Sequence, residues 1–340
     1  MHKIALSWML ISFILLRRIV PNDISLDMAN ENLSRKIIWS VDAFQEDRKL
    51  FKKTLSFLND FDSIPGVTIE PVYVLSPDQL NIPVEFAPPW VEQYLPSAEK
   101  ALKKLLEKTG LKNLKAPKVI IESQSSLGAT VSSFVQYALK QKADFVLVSS
   151  HSKKGLKRMF LGSFAESLVL ESKTPIVVVG PQSNVPEKID HIFFATDLSA
   201  ASKKAIPNLI RLADELGAKV TIFYSVPNPI EPVVQSGVFL LAGAWVSLRS
   251  FVGDEVKKRT RIAKEWAQEF KAAGVKADVV VTIAKKNVSE EVMDEAKKRK
   301  ASMIAMVAKR GTVASALIGS VTRQVVRSSP LPVWVIRGRS

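Results

Sequence analysis

The 340-residue chain contains no cysteine and only three histidines, His2, His151 and His191. Disulfides, thiolate metal ligands and cysteine nucleophiles are therefore excluded, and the scattered histidines do not predict a metal cluster. Long hydrophobic runs are also missing, because the apolar stretches at 4–16 and 237–253 are both too short to span a bilayer comfortably. The second stretch predicts a buried helix or an interface through which the chain forms a homodimer.

Acidic residues are too few to balance the basic ones. The chain has 33 Asp and Glu against 48 Lys and Arg, a formal net charge of +15 at pH 7. This excess favours anionic partners such as nucleotides, nucleic acid or lipid headgroups, although a solvated basic surface is the simpler interpretation. Nucleic acid is not the expected partner, because the basic residues match no known binding module and have no aromatic platform among them.

Residues 1–34 stand apart from the rest of the sequence as an N-terminal extension. Their apolar run precedes Arg17 and Arg18. Three interpretations stay open: a non-native extension from a misassigned start, with Met28 as the true start; a membrane-associated or signal-like leader; or an ordered helix packed on the body. The first predicts a cytoplasmic protein, and a membrane partner is expected only if the leader is native.

What the chain does have is an internal repeat. The segments KIIWSVDAF (36–44) and HIFFATDLS (191–199) are apolar runs that contain an Asp near their ends, at an offset of 155 residues. A helical pattern with one apolar face follows each of them. In the second copy Ser199 is the expected N-cap, and Pro207 inside the helix should remove one hydrogen bond and bend it.

The repeat continues toward the end of each copy. Residues 161–180 match residues 318–337 at an offset of 157, whereas 143–150 match 301–308 at an offset of 158. Three pairs coincide at the first of these offsets: Gly162 with Gly319, Ser163 with Ser320, and Pro175 with Pro332. The second copy has therefore lost one residue in the loop before its Gly-Ser pair.

Each copy alternates short, β-branched apolar strands with helices, which is typical of a parallel sheet covered on both faces. We therefore predict an α/β protein of two tandem doubly wound domains, each with a five-stranded parallel sheet, at 35–181 and 189–340. Ligands of such sheets bind at the carboxyl ends of the strands. Asp42 and Asp197 follow the first strands, and a cationic loop at 152–158 follows the fourth strand of the first copy.

The last strand of each copy needs a partner. An open edge strand exposes unpaired N–H and C=O groups. We therefore expect the two domains to form a pseudo-dimer about a pseudo-twofold axis, with residues 175–179 and 332–336 covering each other.

The sequence resembles the universal stress protein family, and specifically its tandem members, over nearly all of residues 35–338. The resemblance lies in IFFATDLSAASKKA of the second copy and in the Gly-Ser pair that precedes a Pro and an apolar strand in both copies. It implies a strand order of 3-2-1-4-5 and an adenine-nucleotide α-hydrolase-like fold. For some members it also implies bound ATP.

Nucleotide-binding members of that family resemble one another in a loop after strand four, with Gly, two residues, Gly, nine residues, Gly, then Ser or Thr. The first copy places Ser149 and Ser152 at the first two glycines and keeps Gly162 and Ser163. The second copy keeps the last pair alone, and its nominal residues are Met306, Lys309, Gly319 and Ser320. A residue with a side chain at either of the first two glycine positions narrows the space through which a phosphate reaches the backbone.

The resemblance also places Asp42 and Asp197 near the adenine and ribose. The alternative is that each Asp caps the next helix, and Ser163 and Ser320 are likewise either phosphate ligands or N-caps. Lys153 and the neighbouring cations of its loop would neutralise phosphate charge.

We therefore expect a cytoplasmic stress-response signalling or protective binding module, with at most weak binding of ATP or another small anion in the first domain. The alternative is an enzyme that slowly hydrolyses ATP or transfers adenylate from the same pocket. No nucleophile–base pair or paired acid stands out in the motif regions, so no catalytic residue is assigned.

Overall fold

The computed structural model describes residues 35–44, 47–77, 90–150, 163–227, 242–308 and 318–337. Among the predicted site residues, Ser152, Lys153, Gly162 and Lys309 lie outside these ranges. So do His151, the rest of the cationic loop and the N-terminal extension.

The first repeat alternates strands and helices as its sequence pattern predicts. Its strands are β1 (Arg35–Ser40), β2 (Val67–Leu75), β3 (Lys118–Ile121), β4 (Phe145–Ser149) and β5 (Ile176–Val179). Its helices are α1 (Arg48–Asp62), α2 (Trp90–Leu106), α3 (Leu127–Lys140) and α4 (Ser163–Glu171).

The second repeat has the same order of strands. These are β6 (His191–Ala195), β7 (Lys219–Val226), β8 (Ala277–Ile283), β9 (Met303–Ala308) and β10 (Val333–Arg337). Its helices are α5 (Ala200–Lys203), α6 (Ile206–Leu216), α7 (Ala242–Ala272), α8 (Val288–Lys298) and α9 (Ser320–Ser328).

The ten strands that the structure describes belong to one sheet, in the order β3-β2-β1-β4-β5-β10-β9-β6-β7-β8. Within each repeat the strands are parallel and follow the order 3-2-1-4-5. The first strands pair with the fourth in equivalent registers, Ile37 with Phe145 and Ile192 with Met303. The predicted fold class and strand order are confirmed.

The two repeats meet through β5 and β10, which pair antiparallel. Val178 lies opposite Val333, and Ile176 lies opposite Val335. Each strand also pairs in parallel with the fourth strand of its own repeat, so neither has an open edge here. The prediction that these two strands cover each other is confirmed.

Alternate residues of each strand enter the cores on the two faces of the sheet. Ile37 and Trp39 belong to one core, whereas Ile38 between them belongs to the other. Both cores continue across the junction, because β10 contributes Trp334 to the first and Val335 to the second. The hydrophobic cores are therefore shared by the two repeats.

The helix that follows β6 differs from its prediction. The sequence places Pro207 inside one bent helix, but the structure has two helices, α5 and α6, with Lys204 and Ala205 between them. Pro207 lies in the first turn of α6, where a missing N–H removes no intrahelical bond. The proline therefore starts a helix instead of bending one, while the predicted N-cap Ser199 is confirmed at α5.

The apolar stretch predicted at 237–253 lies partly outside the described residues. From position 242 onward it forms the beginning of α7, and Val252 is buried. Across the described parts of the chain, no helix is long and apolar enough to cross a membrane.

His191 is a buried titratable group at the start of β6, with 2% of its surface exposed. Its Nε2 lies 2.8 Å from Thr221 Oγ1. Burial lowers the pKa of His191, and the charge of Lys219 lowers it further. The imidazole is therefore held neutral in the folded protein.

We expect the free energy of unfolding to decrease as the pH is lowered from about 7.5 to about 5.5, because the unfolded state then binds a proton that folded His191 resists. The loss starts near the unfolded pKa of about 6.5 and is limited to about 1.4 kcal/mol per pH unit. Urea denaturation at each pH measures it. His191→Gln should flatten the slope whatever its effect on stability at pH 7, and an unchanged slope would contradict this account.

Candidate functional site

The predicted site residues of the first repeat converge because β1 and β4 are neighbours in the sheet. Asp42 follows β1, Ser149 ends β4, and Ser163 begins α4. We call this end of the first repeat's strands the first carboxyl edge. It is the place at which doubly wound sheets bind their ligands.

Asp42 is half-buried, and its Oδ1 accepts a 2.9 Å hydrogen bond from the N–H of Phe44. The helix that follows is capped by another residue: Asp47 Oδ1 accepts from the N–H groups of Lys49 and Leu50, both at 3.0 Å. The interpretation of Asp42 as a helix cap is therefore wrong. Its carboxylate is held in the turn that follows β1 by the N–H of Phe44.

An aromatic pair stands beside Asp42. The ring of Phe44 is 44% exposed and packs edge-on against Tyr73, with centroids 6.2 Å apart and planes at 83°. Burial raises the pKa of Tyr73, and the charge of Asp42 adds to that rise. The phenol therefore stays protonated, and Phe44 presents an apolar surface next to a carboxylate. Sequence reasoning missed Phe44, although an aromatic residue two positions after the Asp was the available signal.

Serine side chains lie at the carboxyl ends of β4 and β2, the two strands that flank β1. Ser149 is half-buried in register with Val179, and the N–H of buried Ser150 donates to the Val179 carbonyl at 3.0 Å. At the end of β2, Ser76 Oγ lies 3.0 Å from Thr130 Oγ1, on α3. Ser76 and Thr130 were not predicted, because the two residues are 54 positions apart in the chain.

Asp197, the counterpart of Asp42 in the second repeat, makes different hydrogen bonds. Asp197 Oδ1 accepts from the N–H of Ser199 at 3.0 Å and from the hydroxyl of Ser202 at 2.6 Å. Ser199, not Asp197, caps α5, with its hydroxyl 3.3 Å from the N–H of Ser202. The capping alternative for Asp197 is therefore also wrong. Its carboxylate stabilises the turn between β6 and α5 by accepting these two hydrogen bonds.

The prediction that Ser320 is a helix N-cap is wrong, as the start of α9 shows. Ser320 was a candidate N-cap, but it is already the first helical residue, and Gly319 is the N-cap, with extended backbone and no side-chain hydrogen bond. The Gly319 carbonyl accepts from the N–H of Arg323 at 3.0 Å. Both residues are exposed, and a Cβ added to Gly319 would meet nothing within 4 Å. Packing therefore does not require glycine at this position.

Met306, the nominal first loop residue of the second copy, lies within β9 and is buried opposite Ala195. The nominal first loop residue of the first copy, Ser149, is likewise in a strand, as the last residue of β4. Among the residues that the structure describes, no group of three or more His, Cys, Asp and Glu side chains could hold a metal ion.

Comparison with known proteins gives the family. The model of the universal stress protein family matches residues 34–180 and again residues 188–337. A universal stress protein of Methanocaldococcus jannaschii is 27% identical over 154 residues, which are 44% of this chain and 84% of the relative. With two matches that together cover most of its length, the chain belongs to the universal stress protein family.

Two solved structures share the fold over 90% of this chain. A universal stress protein from Archaeoglobus fulgidus has a TM-score of 0.62 at 17% identity, covering 90% of this chain and 98% of that chain. A functionally unknown protein from Pseudomonas aeruginosa has a TM-score of 0.57 at 13% identity, covering 90% and 93%. A second Archaeoglobus fulgidus structure, of a universal stress protein in complex with dAMP, covers 43% of this chain and 97% of that chain, at a TM-score of 0.32 and 16% identity.

We expect Asp197→Ala to cost about 1–3 kcal/mol of unfolding free energy, because the N–H of Ser199 and the hydroxyl of Ser202 lose a charged acceptor. Asp42→Ala should cost less, about 0.5–1 kcal/mol, because it removes one hydrogen bond in a more open turn. Urea denaturation of both variants measures the difference. Asp197→Asn, which keeps an acceptor oxygen, should recover part of the loss, whereas equal costs at the two aspartates would contradict the distinction.

Proposed function

We propose that this universal stress protein is a stress-response signalling or protective binding module of the cytoplasm, and that its ligand is an adenine nucleotide. ATP or a smaller adenine nucleotide binds weakly at the first carboxyl edge. The site residues are Asp42, Ser149, Ser152, Lys153, Gly162 and Ser163.

The difference between the two carboxyl edges carries this proposal. The exposed ring of Phe44 has Ser199 as its counterpart in the second repeat, at the offset of 155 residues. The half-buried hydroxyl of Ser149 has the apolar Val307 as its counterpart, at the offset of 158. The first edge therefore combines an apolar ring, a carboxylate and hydroxyl groups, whereas the second repeat has Ser199 and Val307 at the positions of the ring and of the strand-end serine.

These groups match the parts of an adenine nucleotide. An exposed aromatic ring offers a face on which a base can stack. A carboxylate at the end of the first strand of a doubly wound sheet can accept hydrogen bonds from ribose hydroxyls. The N-terminus of α4, which begins at Ser163, offers free N–H groups and a positive dipole end to phosphate.

Serines at two positions where nucleotide-binding relatives have glycine are expected to weaken phosphate binding. The side chains of Ser149 and Ser152 narrow the space through which a phosphate reaches the backbone, but their hydroxyls can still donate hydrogen bonds to an anion. We therefore expect micromolar affinity at best, about −8 kcal/mol or weaker.

Calorimetric titration of ATP and AMP tests the proposal. Gly162→Val should abolish nucleotide binding, because the branched side chain blocks the phosphate position. Gly319→Val is the matched control in the second repeat and should keep wild-type affinity. The Gly319 backbone has φ −56° and its Cβ direction is open, so valine can be accommodated there.

Nanomolar ATP binding, or equal binding by wild type and Gly162→Val, would contradict the proposed site. Loss of binding in Gly319→Val alone would move the site to the second repeat. Turnover of ATP above the buffer rate, lost in Gly162→Val, would replace the binding module with the enzyme alternative.

A further inference from the structure

Strand β8 lies at one end of the sheet and pairs with β7 alone among the strands that the structure describes. It is seven residues long, with valine at positions 279–281. The strand at the other end, β3, has four residues and begins with the exposed Lys118. Short edge strands that carry lysine resist the addition of another strand, whereas longer β-branched ones favour it. The β8 edge is therefore the better place for a further strand to pair.

The backbone groups of β8 alternate between β7 and the open side of the strand. The carbonyl of Lys276 accepts from the N–H of Val220 at 2.8 Å. The N–H of Ala284 donates to the carbonyl of Val226, also at 2.8 Å. Even-numbered residues of β8 therefore face β7, and the odd-numbered ones direct their N–H and C=O groups away from it. These outward residues are Ala277, Val279, Val281 and Ile283.

The side chains of β8 are only partly covered. Val279 and Val281 pack against one core and Val280 against the other, yet all three are half-buried. Ile283, at the carboxyl end of the strand, is 41% exposed. Thr282 Oγ1 is buried without a hydrogen-bond partner among the described residues. An added strand would cover the apolar side chains and can supply a hydroxyl to Thr282.

A groove of about 420 Å³ lies at the amino end of β8, between the end of α7 and the first residues of β7 and β8. Three exposed lysines line it, Lys219, Lys271 and Lys276, and we call it the lysine groove. None of them forms an ion pair with a residue that the structure describes. The acidic residue of the lining is Asp278, so the groove keeps a positive charge that attracts carboxylates.

The same charges disfavour a second copy of this chain as the added strand. A twofold dimer would pair the two copies of β8 antiparallel, which brings Lys276 of each copy toward the residues that follow β8 in the other. Those residues include Lys285 and Lys286. Lys286 is paired with Asp294, whereas Lys285 has no ion pair within the described residues. Because like charges on neighbouring strands repel, an acidic strand suits this edge better.

We propose that the β8 edge binds the extended, acidic C-terminal segment of another protein by strand addition. The added strand runs antiparallel to β8, because its acidic carboxyl end then reaches the lysine groove at the amino end of β8. Its backbone exchanges hydrogen bonds with the outward residues, and its alternate side chains cover residues 279–283. None of the nine candidate residues for nucleotide binding lies in β8 or in the lysine groove, so the two proposals are independent.

Fluorescence anisotropy of the full chain with a labelled peptide tests the inference. The peptide alternates valine and threonine and ends in three glutamates, so that its valines lie opposite the outward residues and a threonine lies opposite Thr282. We expect one peptide per chain and an affinity that falls as the salt concentration rises. A peptide that ends in three lysines instead should bind about tenfold more weakly or worse.

Methylation of the peptide backbone separates strand addition from charge attraction. N-methyl groups on the valines remove the donors that face β8 and should weaken binding by about tenfold or more. N-methyl groups on the threonines point away from β8 and should leave the affinity within about twofold. Both peptides keep the three glutamates, so their charge is the same.

A proline on the edge gives the matching change in the protein. Val281→Pro removes one outward N–H but no hydrogen bond to β7, so the sheet is kept, and the affinity should fall by about fivefold or more. Val281→Thr keeps the N–H and is the control, with affinity within about twofold of wild type. Thermal unfolding of both variants checks that they fold, and the methylated peptides make the same comparison without a substitution in the chain.

Removing charge from the lysine groove gives a further comparison. Lys271→Ala with Lys276→Ala should weaken binding of the glutamate peptide by about tenfold, since both lysines line the groove. The control, Lys103→Ala with Lys104→Ala, removes two exposed lysines of α2 and should leave the affinity within about twofold.

Four results would overturn the inference. One is the absence of peptide binding to the wild-type chain. Another is equal binding of the unmodified peptide and the peptide methylated on its valines, which would exclude strand addition. Equal weakening in both lysine pairs would show a diffuse attraction of a basic surface for acidic peptides. A dimer of the full chain in sedimentation that Val281→Pro disrupts would assign the β8 edge to a second copy.

Discussion

The antiparallel pairing of β5 with β10 is the constraint on which the rest of the structure depends. Each repeat alone would end in a strand with unpaired backbone groups, and such an edge favours association with other chains. Pairing the two edges turns two five-stranded sheets into one sheet of ten strands. The cores on both faces then run through the junction, with Trp334 and Val335 contributing to opposite sides.

The direction of this pairing also determines where ligands can bind. Because β5 and β10 run in opposite directions, the carboxyl ends of the first repeat and those of the second lie at opposite edges of the sheet. The two candidate nucleotide edges are therefore separated, and each could change without the other. Asp42 stays at an edge with an exposed ring, whereas Asp197 accepts hydrogen bonds from Ser199 and Ser202 within its own turn.

Much of the fold could be predicted because the same pattern of strands and helices occurs twice in the sequence. Apolar strands, helical spacing and the Gly-Ser pairs recur at nearly constant offsets, and this recurrence fixes the element order. The errors concern helix starts, where neighbouring residues compete for the same role. Pro207 starts a helix instead of bending one, and Asp47 takes the capping role considered for Asp42. The ion pairs between the repeats, Arg35 with Glu215 and Arg211 with Asp144, could not be predicted, since their partners become neighbours only through the pairing of β5 with β10.

Hydrogen exchange of the backbone amides tests the central claim, that the two repeats form one continuous sheet. Amides of residues 176–178 and 333–335 lie at the middle of that sheet. The account predicts that they exchange as slowly as those of β1 and β6, through global unfolding alone. Rapid exchange of these two segments, with β1 and β6 still protected, would show that the repeats separate and would contradict the account.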